Sequence, residues 1–282
     1  MTIHLTGFSD EICSDFARQL EVSRCLGVKA IEIRTVNGKN ISTLTLEEAA
    51  QVRKQLDAQG MTVSAIGSPL GKIDIQDDFE PHFALTRHVV EIAKILGSRF
   101  IRMFSFYVPK DTCDIWQDEV LRRLRMMVSY AAEHDVVLLH ENEKGIFGDN
   151  TRRCKLLMDE LAGDHFQAVF DFANFVQCGQ DTLEAWAQLK PYVRYVHIKD
   201  ALNRDGTVVP AGWGDGHVKA ILFDLLDGGY DGYLSLEPHL GSFVGFAALE
   251  RNAAAKAQTD GEVAYHIALD ALKSLLWDYA HQ

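Results

Sequence analysis

The chain has 282 residues, of which 47% are hydrophobic and 6 are proline, so it can bury a large core as one α/β domain or as two smaller domains. Its formal net charge of −12 repels phosphate backbones and argues against a nucleic-acid partner. No apolar run reaches the roughly 20 residues of a membrane span, and the N-terminus lacks the features of a secretory signal. We therefore predict a cytoplasmic protein with a small-molecule ligand and no membrane partner; a homo-oligomer is compatible with this composition.

Short runs rich in β-branched and aromatic residues alternate with longer helical patterns along the whole chain. The predicted strands, in chain order, are residues 3–8, 30–34, 62–67, 99–106, 136–141, 168–172, 193–198 and 233–237. Their starts are spaced close to the about 31 residues that one βα unit occupies in an eightfold barrel. The pattern therefore predicts eight consecutive βα units.

The helical patterns between these strands begin and end at residues that are typical of helix termini. The candidate N-caps are Ser14 or Asp15, Thr45, and Asp181 or Thr182. The candidate C-terminal glycines are Gly27, Gly60, Gly97 and Gly229. No linker divides the chain, and no GxGxxG motif follows the first strand. We predict a single (β/α)8 TIM barrel domain over residues 1–282, with a doubly wound open sheet as the weaker alternative.

Four polar side chains stand at or near the ends of the last four predicted strands: Glu141, Asp171, His197 and Glu237. In such a barrel the carboxyl ends of the strands carry the chemistry, and alternate side chains point inward. The inward positions two residues earlier are Leu139, Val169, Tyr195 and Ser235, whereas His140 and Leu236 point outward. We expect the four polar side chains to converge, although a lone strand-end glutamate is usually solvated and a lone strand histidine usually lies in a core.

This grouping of three carboxylates with one imidazole predicts a metal site. Carboxylates held close together repel one another unless they are protonated or neutralised, and a divalent cation is the usual neutraliser. A ligand set without thiolates suits Mn²⁺, Mg²⁺ or Co²⁺ and is compatible with Zn²⁺. We predict one divalent metal ion, whose identity the sequence leaves open.

A long loop that contains several glycines, residues 199–216, follows the seventh predicted strand. Long loops at this end of a barrel are usually lids or binding elements, with a mobile surface excursion as the alternative. We predict that the loop lies over the site and becomes ordered when a sugar binds. Within it, Trp213 is a candidate pocket wall. Lys199 and Asp200 are candidate substrate-binding residues or, alternatively, a surface pair.

Five motifs near the predicted strand ends resemble the sugar phosphate isomerase/epimerase family of the xylose-isomerase-like TIM barrel superfamily. They are HENEKG (140–145), FDFANF (170–175), YVHIKDA (195–201), PAGWGDG (210–216) and LSLEPHL (234–240). The segments GFSDE (7–11) and IEIR (31–34) extend the resemblance over nearly the whole chain. The superfamily includes ketose 3-epimerases, hydroxypyruvate isomerase, inosose dehydratase and endonuclease IV.

The resemblance implies that Glu141, Asp171, His197 and Glu237 bind the metal, and that a sugar contacts it through a carbonyl and an adjacent hydroxyl. Asn174 stands where ketose epimerases have a histidine, and Phe147 stands where they have a second glutamate. These departures weigh against a ketose 3-epimerase, and the HIKD and GDG patterns resemble those of inosose dehydratase as much as those of the epimerases. The predicted substrate-binding residues are Asn174, Lys199, Asp200, Arg204, Trp213 and His239.

The implied chemistry is proton abstraction next to a carbonyl. A metal polarises the carbonyl of a bound 2-hydroxy ketone and stabilises the enediolate that forms when the proton leaves. Glu141 and Glu237 are the predicted catalytic residues, one for each side of the substrate. We predict a metal-dependent isomerase or epimerase of a sugar or sugar phosphate. The alternatives are an inosose-dehydratase-like lyase acting on a keto-polyol, an endonuclease IV-like DNA repair enzyme, and a non-catalytic sugar-binding barrel.

Overall fold

The computed structural model describes residues 3–240 and 260–281, which contain the eight-stranded parallel barrel that the sequence predicts. The barrel strands are β1 (His4–Gly7), β2 (Ala30–Ile33), β3 (Thr62–Gly67), β4 (Phe100–Met103), β5 (Val137–Glu141), β6 (Phe166–Asp171), β7 (Val193–Ile198) and β8 (Tyr233–Leu236). Two short antiparallel pairs stand outside it, Thr35–Val36 with Lys39–Asn40 and Asp200–Ala201 with Val208–Val209.

The order of the strands brings all their carboxyl ends to one end of the barrel. Strands β2 to β7 each pair in parallel with the next strand along the chain, and β8 pairs with β1 so that Tyr233 lies opposite His4. Between β1 and β2 the sheet narrows to a bridge that joins Phe8 and Glu32. Functional side chains on distant parts of the chain therefore meet at this mouth.

Helices cover the outside of the barrel, and those in the described residues are α1 (Phe16–Cys25), α2 (Leu46–Gln59), α3 (Phe79–Leu96), α4 (Cys113–Glu133), α5 (Thr151–Leu161), α6 (Phe172–Gln177), α7 (Thr182–Leu189), α8 (Val218–Asp227) and α9 (Gly261–Ala280). Asp15, Thr45 and Asp181 are N-caps, as predicted, because each side chain accepts a backbone N–H from the first turn. Gly60 and Gly97 end α2 and α3 in the left-handed conformation. Across this part of the chain, every helix is too short or too polar to cross a membrane.

Two apolar layers stabilise the barrel. The interior layer consists of Ala65, Val137, Leu139, Val169 and Tyr195. A second and larger layer lies between the strands and the helices and includes Ile31, Leu138 and Phe170. The burial of Leu139, Val169 and Tyr195 inside the barrel confirms the predicted alternation and places the residues two positions later above the interior layer.

Several observed strands are shorter than predicted or shifted, and the strand bounds predicted there were wrong. Strand β4 ends at Met103 rather than residue 106, because the backbone N–H of Phe104 donates to Leu70 O and that of Phe106, with φ +69°, donates to Gly71 O. Strand β6 ends at Asp171, whose side chain caps α6 by accepting from the Asn174 N–H. Strands β1, β2 and β8 each stop one residue earlier than predicted.

Candidate active site

The four predicted ligand side chains come together at the mouth of the barrel. Glu141 and Asp171 are the last residues of β5 and β6, His197 lies in β7, and Glu237 follows β8 directly. All four are buried, and one possible ligand atom from each lies within 4.8 Å of the others. The side chains thus form one compact donor cluster.

His197 is the centre of this cluster. Its Nδ1 atom lies 3.1 Å from Glu141 Oε1, 3.3 Å from Glu237 Oε2 and 3.7 Å from Asp171 Oδ2. The same imidazole is fully buried, and Phe8 packs against it edge to face. The edge of the ring that carries Nδ1 is therefore turned toward the three carboxylates.

Glu32 contacts the opposite edge of the His197 ring, which carries Nε2. This residue of β2 received no role in the sequence analysis. His197 Nε2 lies 3.1 Å from Glu32 Oε2, and the Ser235 hydroxyl donates to the same oxygen at 2.6 Å. Glu32 is fully buried. A carboxylate in this position fixes the ring orientation and makes Nδ1 a better ligand, as second carboxylates do behind metal-bound histidines.

Buried cations partly neutralise the carboxylates. Lys199 Nζ lies 2.7 Å from Glu237 Oε2 and 3.0 Å from Asp171 Oδ2, and Arg102 Nε lies 3.2 Å from Glu141 Oε2. Burial raises the pKa of carboxylates, but His197 and Arg102 outweigh burial at Glu141 and lower its pKa to about 2. At Asp171 burial is the stronger effect, and the pKa is raised.

Neighbouring charged side chains also shift the pKa values of Glu237 and Lys199. Burial opposes the charge on Glu237, but Lys199, His239 and His197 hold its pKa well below the usual value. Burial likewise opposes the charge on Lys199, but Asp171 and Glu237 raise its pKa well above the usual value. The lysine is therefore a buried ammonium ion beside the donor cluster.

The donor cluster fits a divalent metal ion. Asp171 Oδ2 is buried and, among the described residues, makes no hydrogen bond, although Lys199 faces it. Three carboxylates and one imidazole, with no thiolate, form a donor set suited to a hard or borderline divalent cation. Two asparagines hold the candidate ligands in place. The Asn142 side chain bonds to the backbone of Asp171, and Asn174 donates its side-chain N–H to Glu141 and its backbone N–H to Asp171. These contacts limit how far the carboxylates can spread.

Two further predicted substrate-binding residues lie at the cluster. The Asn174 Nδ2 donates to Glu141 Oε1 at 3.1 Å and to Asn142 O at 2.9 Å. His239 Nε2 lies 3.3 Å from Glu237 Oε1 and 3.4 Å from Glu11 Oε1. Both side chains, together with Lys199, line the cavity above the cluster. The structure therefore brings Asn174, Lys199 and His239 together with the metal-ligand candidates.

The other three predicted substrate-binding residues lie elsewhere. Asp200 is buried, and its carboxylate accepts the N–H groups of Gly212, Gly214 and Gly216 at 2.8–3.1 Å, so it fixes the loop backbone. Arg204 is exposed and pairs with Asp205, and the Trp213 side chain is 70% exposed. The cavity lining contains none of the three, and their role in binding a substrate stays a prediction.

Several residues of the cavity wall were missed by the sequence analysis, notably Arg34, Lys72, Arg102 and Phe104. Arg34 is buried, donates to Asp10 at 2.9 and 3.0 Å, and reaches to 3.6 Å from Glu237 Oε1. Glu32 and Arg102 each interrupt an apolar strand at a buried position. A charged residue inside an otherwise apolar strand was the available signal, because such a charge needs a buried partner.

Comparison with known proteins identifies the family. A model of the xylose isomerase-like TIM barrel family matches residues 20–263, which is most of the chain. The chain belongs to the xylose isomerase-like TIM barrel family. This membership confirms the resemblance seen in the strand-end motifs and agrees with the eight-stranded barrel.

Proteins similar to this family member carry out more than one reaction. A 3-dehydroshikimate dehydratase of Bacillus anthracis is 22% identical over 182 residues, and the match covers 64% of this chain and 64% of that protein. An L-ribulose 3-epimerase structure is 17% identical and matches with a TM-score of 0.75 over 99% of this chain and 96% of that one. A magnesium complex of a xylose isomerase-like TIM barrel protein from Mycobacterium smegmatis is 17% identical, with a TM-score of 0.67 over 97% of both chains. These structures share the fold.

Proposed function

We propose that this protein is a divalent-metal-dependent isomerase or epimerase that moves a proton next to the carbonyl of a sugar or sugar derivative. The observation that carries the proposal is the buried cluster of Glu141, Asp171, His197 and Glu237, whose donor atoms lie within 4.8 Å of one another. A metal ion bound there supplies a Lewis acid that polarises a substrate carbonyl. Asp171 and His197 serve as ligands, and Glu141 and Glu237 serve as ligands and bases.

The two glutamates are suited to proton transfer from different directions. Glu141 ends β5 and Glu237 follows β8, so β6 and β7 separate them around the barrel wall. Neighbouring cations lower both pKa values, so both carboxylates are ionised. Removal of a proton by one glutamate and return of a proton by the other gives epimerisation. Return to the neighbouring carbon gives isomerisation.

A second candidate function is dehydration of a keto-polyol, and Lys199 favours it. Loss of a β-hydroxyl requires a proton donor to the leaving oxygen in addition to a base. Lys199 is a buried ammonium group that lines the cavity and lies 2.7 Å from Glu237. The similarity to a 3-dehydroshikimate dehydratase supports the same reading. The DNA repair alternative is less well supported, because a chain with a net charge of −12 repels a polyanion.

Exchange of solvent deuterium into a ketose tests the proposal, because the reaction starts with removal of a carbon-bound proton. We expect Glu141→Gln and Glu237→Gln each to slow exchange by about 10² to 10⁴, the usual contribution of a general base. The substitution preserves the shape of the side chain and removes its charge and basicity. Exchange is followed by NMR in D₂O with the metal-loaded protein.

Glu143→Gln is the matched control in this experiment. Glu143 lines the same cavity, but its carboxylate bonds to Lys72 at 3.2 Å and to the Lys144 N–H at 2.8 Å. We expect a smaller loss of exchange in this variant. An inactive Glu143→Gln variant beside an active Glu141→Gln variant would overturn the assignment of the base.

A further inference from the structure

The cavity above the donor cluster is narrow. Its volume is about 20 Å³, which is close to the space that a single water molecule needs. Phe104 is buried in its wall, and the cationic groups of Lys72 and Arg102 lie 4.1 and 4.5 Å from the centre of the Phe104 ring. The space beside the donor cluster therefore admits only the reacting end of a ligand, and the remainder must extend away from the cluster.

A much wider cleft continues outward from this cavity. Lys72, Glu143 and Lys144 line both spaces. From these three residues the cleft extends along the segments that follow β4, β5 and β6, and its volume is about 660 Å³. Binding sites for whole small molecules have volumes of about 300 to 1,000 Å³. A ligand whose reacting end contacts the donor cluster can therefore place a complete second ring in this cleft.

The lining of the cleft combines one aromatic ring with three carboxamides. The ring belongs to Tyr107, and the carboxamides belong to Asn150, Gln177 and Gln180. Each carboxamide is held by a hydrogen bond with the backbone at 2.9–3.1 Å. A carboxamide both donates and accepts hydrogen bonds, as a sugar hydroxyl does, and an aromatic ring offers a flat apolar surface for the C–H face of a sugar ring. This lining is suited to a polyhydroxylated ring.

Ion pairs hold two walls of the cleft in place. Lys72 Nζ lies 3.2 Å from Glu143 Oε2 where the cleft joins the cavity, and Arg153 pairs with Asp149 near the N-terminus of α5. Both carboxylates of the lining are engaged in these pairs. A site whose walls are already ordered loses little conformational entropy when a ligand binds. The cleft is thus formed before a ligand enters it.

We infer that the substrate is a keto-sugar that carries a second sugar ring, and that this second ring occupies the cleft lined by Tyr107, Asn150, Gln177 and Gln180. The inference rests on the proposed function, because the keto group at the donor cluster directs the rest of the substrate outward. It narrows the substrate from any sugar derivative to a ketose of disaccharide size. The donor cluster alone does not make this distinction, since it contacts only the reacting end.

Four ligands with the same keto end test the inference: D-fructose, turanose, lactulose and isomaltulose. The last three are disaccharides in which a second sugar ring is attached to D-fructose at three different carbons, so they sample three directions from the keto group. Dissociation constants are measured by calorimetric titration of the metal-loaded protein. Titration of D-fructose in the presence of D-glucose is the control, because it supplies both rings without the bond that joins them.

Variants of the cleft lining locate the second ring. Tyr107→Ala removes the aromatic surface, whereas Tyr107→Phe keeps it. Lys110→Trp narrows the cleft from its exposed side, since Lys110 is an exposed residue of the lining. Tyr192→Ala is the matched control, because Tyr192 is also half-buried but directly precedes β7 and so lies at the opposite end of the barrel.

We expect at least one keto-disaccharide to bind about tenfold more tightly than D-fructose, and D-glucose not to reproduce this gain. Tyr107→Ala and Lys110→Trp should each remove most of the preference while D-fructose still binds. Tyr107→Phe and Tyr192→Ala should retain the preference. Equal affinity for all four ligands, or a preference that survives both Tyr107→Ala and Lys110→Trp, would overturn the inference.

Binding and reaction are measured separately, so the two proposals can fail separately. A preference for a keto-disaccharide without deuterium exchange into the bound ligand would refute the proposed reaction and leave the site for the second ring standing. Deuterium exchange into D-fructose without a preference for any disaccharide would support the reaction and refute the site for the second ring.

Discussion

At the scale of single residues, the groups behind the donor cluster shape the site as much as the four side chains of the cluster do. Glu32 touches His197 Nε2 at 3.1 Å and accepts from Ser235 at 2.6 Å, so the imidazole has one orientation available to it. Arg102 lies 4.0 Å from Glu32 and 3.2 Å from Glu141, and so neutralises part of the charge on both. The pattern of strand ends predicted which side chains form the donor cluster, but it contains no information about which buried charges face them.

We predict that Glu32→Gln weakens metal binding by about 10- to 100-fold, the usual effect of removing a carboxylate behind a ligating histidine. The glutamine retains an oxygen that accepts the Nε2 proton, but it lacks the negative charge that makes Nδ1 a strong donor. Metal affinity is measured by competition with a chelator of known affinity. Ser235→Ala, which removes the hydroxyl contact and leaves the carboxylate, should have a smaller effect. An unchanged affinity in Glu32→Gln would show that Glu32 has no part in holding the ligand.

At the scale of elements, the loop between β3 and α3 was the part of the mouth that sequence patterns described least well. The run of residues 99–106 is rich enough in aromatic residues to predict a long strand, yet Phe104 and Phe106 donate their N–H groups to Leu70 and Gly71 of this loop. Gly71 has φ +83°, and a Cβ there would lie 2.1 Å from Phe104 O, so only glycine fits. Hydrogen bonds between loops leave no periodic pattern in the sequence, so the sequence did not predict them. They place Lys72 in the cavity wall.

His82 anchors this loop, which leads to a prediction about pH. His82 Nε2 accepts the Gly71 N–H at 2.7 Å, and burial and then Arg123 lower the pKa of His82 to about 4. The unfolded chain, with an ordinary histidine pKa of about 6.5, binds more protons than the folded chain between pH 4 and 6.5. The stabilisation linked to neutral His82 is therefore complete above about pH 6.5 and is lost as the pH falls toward 4.

We expect protonation of His82 to lower the free energy of unfolding by about 3 kcal/mol as the pH falls from 7 to 4, at about 1.4 kcal/mol per pKa unit. Urea denaturation of the native protein and of His82→Gln at several pH values measures it. The variant should be less stable at pH 7, and the difference between the two proteins should shrink as the pH falls. A constant difference across this range would mean that protonation of His82 is not coupled to folding.

At the scale of the whole molecule, the barrel was predictable because every βα unit repeats the same kind of sequence pattern. Eight apolar strands, capped helices and terminal glycines agreed with one another, and an error of three residues at the end of β4 did not disturb the order. The donor cluster was predictable for the same reason, since Glu141, Asp171 and Glu237 follow from the strand ends. The sequence did not predict the positions of three other charged residues, Arg34, Lys72 and Glu32. These positions depend on contacts between β2, the β3–α3 loop and strands far away in the chain.

Metal binding should also stabilise the fold, because the four ligands join β5, β6, β7 and the residue after β8. Without a metal the buried carboxylates oppose one another, and a ligand at 100 times its dissociation constant adds about 2.7 kcal/mol to folding. For a domain of this size we expect the Tm to rise by about 5 to 10 °C in saturating metal and to fall again in chelator. Elemental analysis should show about one equivalent in the native protein. In His197→Ala most of the metal and the Tm shift should disappear, whereas Glu143→Gln should keep both. A shift of full size in His197→Ala would place the metal elsewhere, because Nδ1 of His197 is the nitrogen that all three carboxylates face.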